Sequence, residues 1–108
     1  MRPVSEKINE ADADTLRQMV DRFRQQFPTN GVIVLGSVWD GRPIIIAGIS
    51  EDLISRGLNA IELIKSVAAP LGGSGGGKPT LAQAGGKDAS MLSKVLDGVG
   101  EWVEKHLL

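Results

Sequence analysis

Val32-Ile33-Val34-Leu35-Gly36-Ser37-Val38-Trp39-Asp40-Gly41-Arg42-Pro43-Ile44-Ile45-Ile46-Ala47-Gly48-Ile49 is the stretch on which the fold turns. Two runs rich in β-branched residues, Val32–Val38 and Ile44–Ile49, flank Asp40-Gly41. That dipeptide accepts the positive φ angles of a two-residue hairpin turn, so the stretch reads as a β-hairpin. Pro43 has no N–H to give a neighbouring strand and suits the start or edge of its own.

Outward on the N-terminal side, Leu16, Met19, Val20, Phe23 and Phe27 recur at helical spacing behind Asp12 and Asp14, either of which can cap a helix. Pro28 and Thr29-Asn30-Gly31 stop it. Residues 1–11 are polar and read as a flexible segment or linker remnant before a single domain over 12–108. On the other side, Ser50-Glu51-Asp52 opens a short stretch ending at Gly57. Asn59 and Glu62 have capping-box spacing, with Asn in place of Ser or Thr, ahead of a helix from about Ala60 to Ala69 that Pro70 and Gly72 end. Thr80–Ala84 reads as a short strand. Asp88 or Ser90 can cap a last helix with Met91, Leu92, Val95, Leu96, Val99, Trp102 and Val103 on its apolar side, weakened at Gly98 and Gly100. The expected order is α-β-β-α-β-α: an α+β domain with a small sheet of about three strands against helices.

Composition sets bounds. A chain of 108 residues with 42% apolar content can bury one core. The absence of cysteine excludes disulfides, thiolate metal sites and thiol catalysis. The longest apolar runs, Val32–Leu35 and Ile44–Ala47, cannot span a bilayer, and residues 1–20 hold no signal-peptide core, so a cytoplasmic protein without a membrane partner is expected. A net charge of -1 points to no polyanion, so any nucleic-acid contact needs local asymmetry.

Such asymmetry lies in 72–88, Gly72-Gly73-Ser74-Gly75-Gly76-Gly77-Lys78-Pro79-Thr80-Leu81-Ala82-Gln83-Ala84-Gly85-Gly86-Lys87-Asp88, which carries half of the chain's 14 glycines. From Gly72 to Lys94, Lys78, Lys87 and Lys94 against Asp88 give a local charge of +2. Gly72 to Lys78 begins like a phosphate-binding P-loop, but Pro79 stands where Ser or Thr must hold Mg²⁺, and the segment follows a helix instead of a strand. No dinucleotide-binding glycine frame fits. A flexible linker is the plainer alternative, though linkers rarely interrupt the periodic elements of so small a domain. The functional reading is a backbone surface: glycines admit a ligand to the main chain, exposed N–H groups can hold phosphate, and Gly86-Lys87 precedes a helix N-terminus that favours an anion.

The glycine run followed by Ala82-Gln83-Ala84-Gly85-Gly86-Lys87-Asp88 resembles the C-terminal motif of alanyl-tRNA synthetases, in the DHHA1 domain shared with DHH-family phosphoesterases. Ile44–Ile49, Gly57-Leu58-Asn59-Ala60 and Glu62-Leu63 are similar to the family as well, so the resemblance covers roughly residues 31–98. It implies a tRNA-binding C-terminal domain that grips the outer corner of tRNA and links aminoacylation and editing parts absent from this chain. Ser74 departs from the family's continuing glycine. The phosphoesterase branch usually has His at the place of Lys78, which favours the synthetase branch.

The RNA-binding candidates are Gly73, Gly75, Gly76, Gly77, Lys78, Gln83, Gly85, Gly86 and Lys87, with Trp39 and Arg42 beside them. Trp39 offers a base a face to stack on and Arg42 can reach a phosphate, although the plainer reading packs Trp39 over the hairpin end. His106 is the only histidine and has no partner for triad or metal chemistry, so it reads as an incidental surface residue. The carboxylates form no evident catalytic pair, and no catalytic residue, metal or cofactor is expected. The expected partners are tRNA, that for alanine being implied by the resemblance, and upstream synthetase domains. Two other functions stay open: an oligonucleotide-binding domain of a DHH phosphoesterase, and a structural dimerisation or docking module resting on the apolar tail Trp102–Leu108.

Overall fold

The computed structural model describes residues 3–107. One mixed sheet of five strands runs in the order β1-β2-β3-β5-β4. The strands are β1 (Val4–Ile8), β2 (Val32–Trp39), β3 (Arg42–Ile49), β4 (Ser74–Lys78) and β5 (Leu81–Gly85). The helices are α1 (Ala13–Gln26), α2 (Glu51–Ile54), α3 (Ala60–Ala68), α4 (Leu92–Asp97) and α5 (Val99–His106).

The β2–β3 hairpin forms as its sequence dictates. Trp39 pairs with Arg42 across Asp40 and Gly41, whose φ angles of 52° and 77° are the left-handed pair that such a turn requires. The α+β class holds, but the expectation of about three strands is overturned by the five observed. Both additional strands lack a readable side-chain pattern. In β1, Glu6 interrupts the apolar face between Val4 and Ile8, and the strand lies in the stretch expected to be flexible. It is held parallel to β2 through the α1 crossover that parallel strands need. Just beyond it, the Ala11 amide donates to the buried Ser37 hydroxyl at 2.8 Å. In β4, four of the residues Ser74–Lys78 have no side chain or only a hydroxymethyl group, so neither propensity nor alternation marks a strand.

Helices pack on both faces of the sheet. On one, Leu16 and Val20 of α1 pack on Ile33, Leu35 and Ile46. On the other, Leu63, Ile64 and Val67 of α3, with Leu92, Leu96, Val99 and Val103 of α4 and α5, pack on Val32, Val34, Ile45, Ala47, Ala82 and Ala84. Asp12 caps α1 by accepting from the Thr15 amide, and Asn59 caps α3 by accepting from the Ile61 amide. The last helix is broken: a 3-10 turn over Ala89–Met91 leads into α4, and Gly98 separates α4 from α5. Phe27, expected on the apolar side of α1, instead ends that helix 52% exposed, with its ring 4.9 Å from that of Phe23.

Candidate nucleic-acid interface

Sheet register decides which candidates meet. Residues directly opposite on antiparallel strands share a face. Trp39 opposes Arg42, Ile44 opposes Gly85, and Gly85, Gln83 and Leu81 oppose Ser74, Gly76 and Lys78. All of these lie on the face that carries α1. That helix packs on β2 and β3, leaving the β5–β4 half of the face with Gln83, Gly85, Ser74 and Lys78 exposed. The opposite face of the same hairpin presents Gly75, Ala82 and Ala84 towards α3, with Gly77 exposed near its end.

The glycines therefore divide in two. A Cβ at Gly73 or Gly75 would collide with the backbone of β5 or its end, and one at Gly86 would come within 2.7 Å of Leu71. Gly77 has φ 149° and would also collide. A Cβ at Gly76 meets nothing within 4 Å, and at Gly85 only the Pro43 carbonyl oxygen at 3.8 Å. Gly73, Gly75, Gly77 and Gly86 are thus required by the fold, whereas Gly76 and Gly85 sit on open surface.

At the end of the hairpin the structure gathers Trp39, Arg42, Gly73, Gly85, Gly86 and Lys87 around one groove of about 450 Å³, completed by Gly72, Pro43, Ile44 and Ser74. Gly75, Gly76, Gly77, Gln83 and Lys78 lie outside it, along the hairpin. Lys78 ends β4 four residues from Ser74, roughly 13 Å away at the usual strand rise. Sequence reasoning passed over Ser74 and Ile44; the signal was the Asp40-Gly41 turn, whose two-residue register places Ile44 on the face of Arg42.

Two expectations change. The backbone amides at the groove are committed internally: Gly86 donates to the Pro43 carbonyl, Lys87 and Asp88 to Leu71, and Gly73 to Ala68. The start of the following turn is already served by Asp88, whose carboxylate accepts from the Ser90 amide and hydroxyl. An anion here would meet the side chains of Arg42 and Lys87 and no vacant cluster of amides at Gly86-Lys87. His106 is exposed, with its ring stacked 4.1 Å from that of Trp102 and its Nδ1 2.8 Å from the Trp102 carbonyl oxygen. Trp102 is half-buried against the core; Leu108 of the expected apolar tail lies outside the described residues. Among the described residues no group of three His, Asp or Glu side chains could hold a metal, and no helix is long and apolar enough to cross a membrane.

A two-faced α+β domain whose sheet ends in a glycine hairpin, packed by small residues on one side and open on the other, defines the class of protein. The chain belongs to the DHHA1 domain family, whose model matches residues 4–105. It is 45% identical over 101 residues to an alanine–tRNA ligase of Halalkalibacterium halodurans, covering 94% of this chain and 11% of the relative. It is 46% identical over 96 residues to that of Pelotomaculum thermopropionicum, covering 89% and 11%. The chain thus spans about a ninth of the length of these relatives. Among solved structures it resembles the C-Ala domain from Aquifex aeolicus alanyl-tRNA synthetase, with TM-score 0.81, 29% identity, and 92% of this chain and 87% of that one covered. A DHH-domain protein described as a member of the s1p family of ribosomal proteins shares the fold alone, with TM-score 0.58 and 18% identity over 91% of this chain and 22% of that one. The resemblance read from the glycine motif is borne out.

Proposed function

We propose that this chain is the tRNA-binding C-terminal domain of an alanine–tRNA ligase, acting in the cytoplasm to position alanine tRNA for aminoacylation and editing by other domains of the enzyme, and carrying no catalytic step itself. The observation that carries this reading is the convergence of Arg42 and Lys87 on a groove lined by glycine backbone, continuous with the open hairpin face that ends at Lys78. Phosphates meet the cations, while Gly76 and Gly85 let a ribose or base approach the main chain without obstruction by a side chain. The net charge of -1 makes the electrostatic contribution local and modest, with other domains of the enzyme sharing the grip.

Replacing Lys78 and Lys87 together by Ala tests this. Both side chains are exposed, so the fold persists. Affinity for tRNA falls irrespective of sequence, and the log–log salt slope flattens by about 1–2 units. Unchanged affinity and slope in the folded double variant would remove the lysines from the RNA surface.

A further inference from the structure

Trp39 is 46% exposed, an unusual position for so large an apolar side chain in a domain with few aromatics. It also walls two grooves at once. On one side lies the glycine groove. On the other, a groove of about 560 Å³ opens between the end of β1 and the β2–β3 turn, where Lys7, Asn9, Glu10 and Asp40 stand beside Trp39. The two differ in charge. The glycine groove has Arg42 and Lys87 and no carboxylate. The second has Glu10 and Asp40, only one of which Lys7 can offset.

We infer that Trp39 is the stacking plate of a two-part nucleotide site, with the phosphate held in the glycine groove by Arg42 and Lys87 and the base laid over the indole into the second groove, where Asn9, Glu10 and Asp40 read an amino-bearing edge. The inference rests on the RNA-binding reading above and names the part of the ligand that the second groove takes. The charge asymmetry orients the nucleotide: a phosphate is attracted to the cationic side and repelled by the carboxylates. Carboxylates that face a base accept hydrogen bonds, which the exocyclic amino group of cytosine can donate and the carbonyl of uracil at the same position cannot. Stacking on an exposed indole needs no sequence, so base choice comes from the groove beyond it.

Two measurements test the inference apart from the function on which it rests. Trp39→Ala, compared with Trp39→Phe, is titrated with tRNA across salt concentrations. The expected result is a loss of about tenfold for Ala with partial retention in Phe and no change in salt slope, in variants that a melting curve shows to be folded at the temperature of the titration. Arg42→Ala, in contrast, lowers the slope. Then, in a Trp102→Phe background that leaves Trp39 as the sole indole, short oligocytidylate quenches its fluorescence and binds about fivefold more tightly than oligouridylate. Glu10→Gln with Asp40→Asn abolishes that preference. If Trp39→Ala binds tRNA like the parent while the lysine variant does not, the stacking plate is wrong and the function stands. Quenching without preference for cytosine would overturn the base-reading groove. Failure of the unaltered chain to bind either tRNA or oligonucleotide would overturn both readings.

Discussion

A methyl group placed at Gly75 would lie 2.5 Å from the Cβ of Ala84, while the same group at Gly76, one residue on, would meet nothing within 4 Å. The alternation of the strand separates the two: Gly75 faces α3 and Gly76 faces solvent. Gly75→Ala should therefore lower stability by about 1–3 kcal/mol, the usual cost of forcing an extra carbon into a packed site. Gly76→Ala and Gly85→Ala, at neither of which φ is positive, should melt like the parent and lose affinity for tRNA. A melting curve and a tRNA titration of each variant in one buffer decide the matter. Parent-like binding by both open-surface variants would reduce the hairpin face to a structural edge. The importance of the segment was legible in its residue types, but its division was not. From sequence alone every glycine offered the same argument for close approach of a ligand, because strand register, absent from a patternless run, decides which glycines point inward.

Elements that announce themselves by side-chain periodicity were legible, and those held by a neighbour were not. The Asp40-Gly41 turn and the caps at Asp12 and Asn59 are local devices, written within a few residues of where they act. β1 depends on distant partners: its place is fixed by pairing with β2 and by the Ala11 amide on Ser37, 26 residues away in sequence. Ser37 is fully buried, so its hydroxyl is the means by which that amide is satisfied inside the protein. Ser37→Ala removes the acceptor and should cost about 1–3 kcal/mol, the penalty for a buried donor left without a partner. Hydrogen exchange should quicken first in residues 4–11, because β1 forms an outer edge of the sheet and opens more readily than β2 or β3. If protection in that segment is unchanged in the variant, β1 is held by strand pairing and Ser37 contributes little.

At the scale of the whole molecule, three aspartates at the starts of helices and turns link the fold to the proton. Asp12 starts α1 and is held below the ordinary carboxylate value of 3.8, chiefly by the Thr15 backbone N–H. Asp52 is lowered by the Ser50 side chain and then by the Asn30 amide, which it receives at 2.9 Å, so it pins the loop between α1 and β2 to the start of α2. Asp88 is lowered chiefly by the Ser90 hydroxyl, at the junction of the glycine hairpin with the final helices. Each carboxylate titrates lower in the folded chain than in the unfolded one. Below about pH 4 the unfolded chain therefore binds more protons, and stability falls with pH. The contribution is fully present above the unfolded value of 3.8 and is lost as the pH drops through the lower, folded values. All three groups are exposed and screened by solvent, so each effect is small, and their sum is what a measurement reads. Asn can accept the same backbone hydrogen bonds without titrating. The triple variant Asp12→Asn, Asp52→Asn, Asp88→Asn should therefore fold at neutral pH with a slightly lower melting temperature. Between roughly pH 5 and pH 2.5 its melting temperature should decline less than that of the parent. Parallel declines would show that acid unfolding is governed by other carboxylates, and that these three contacts hold local geometry without linking it to the proton.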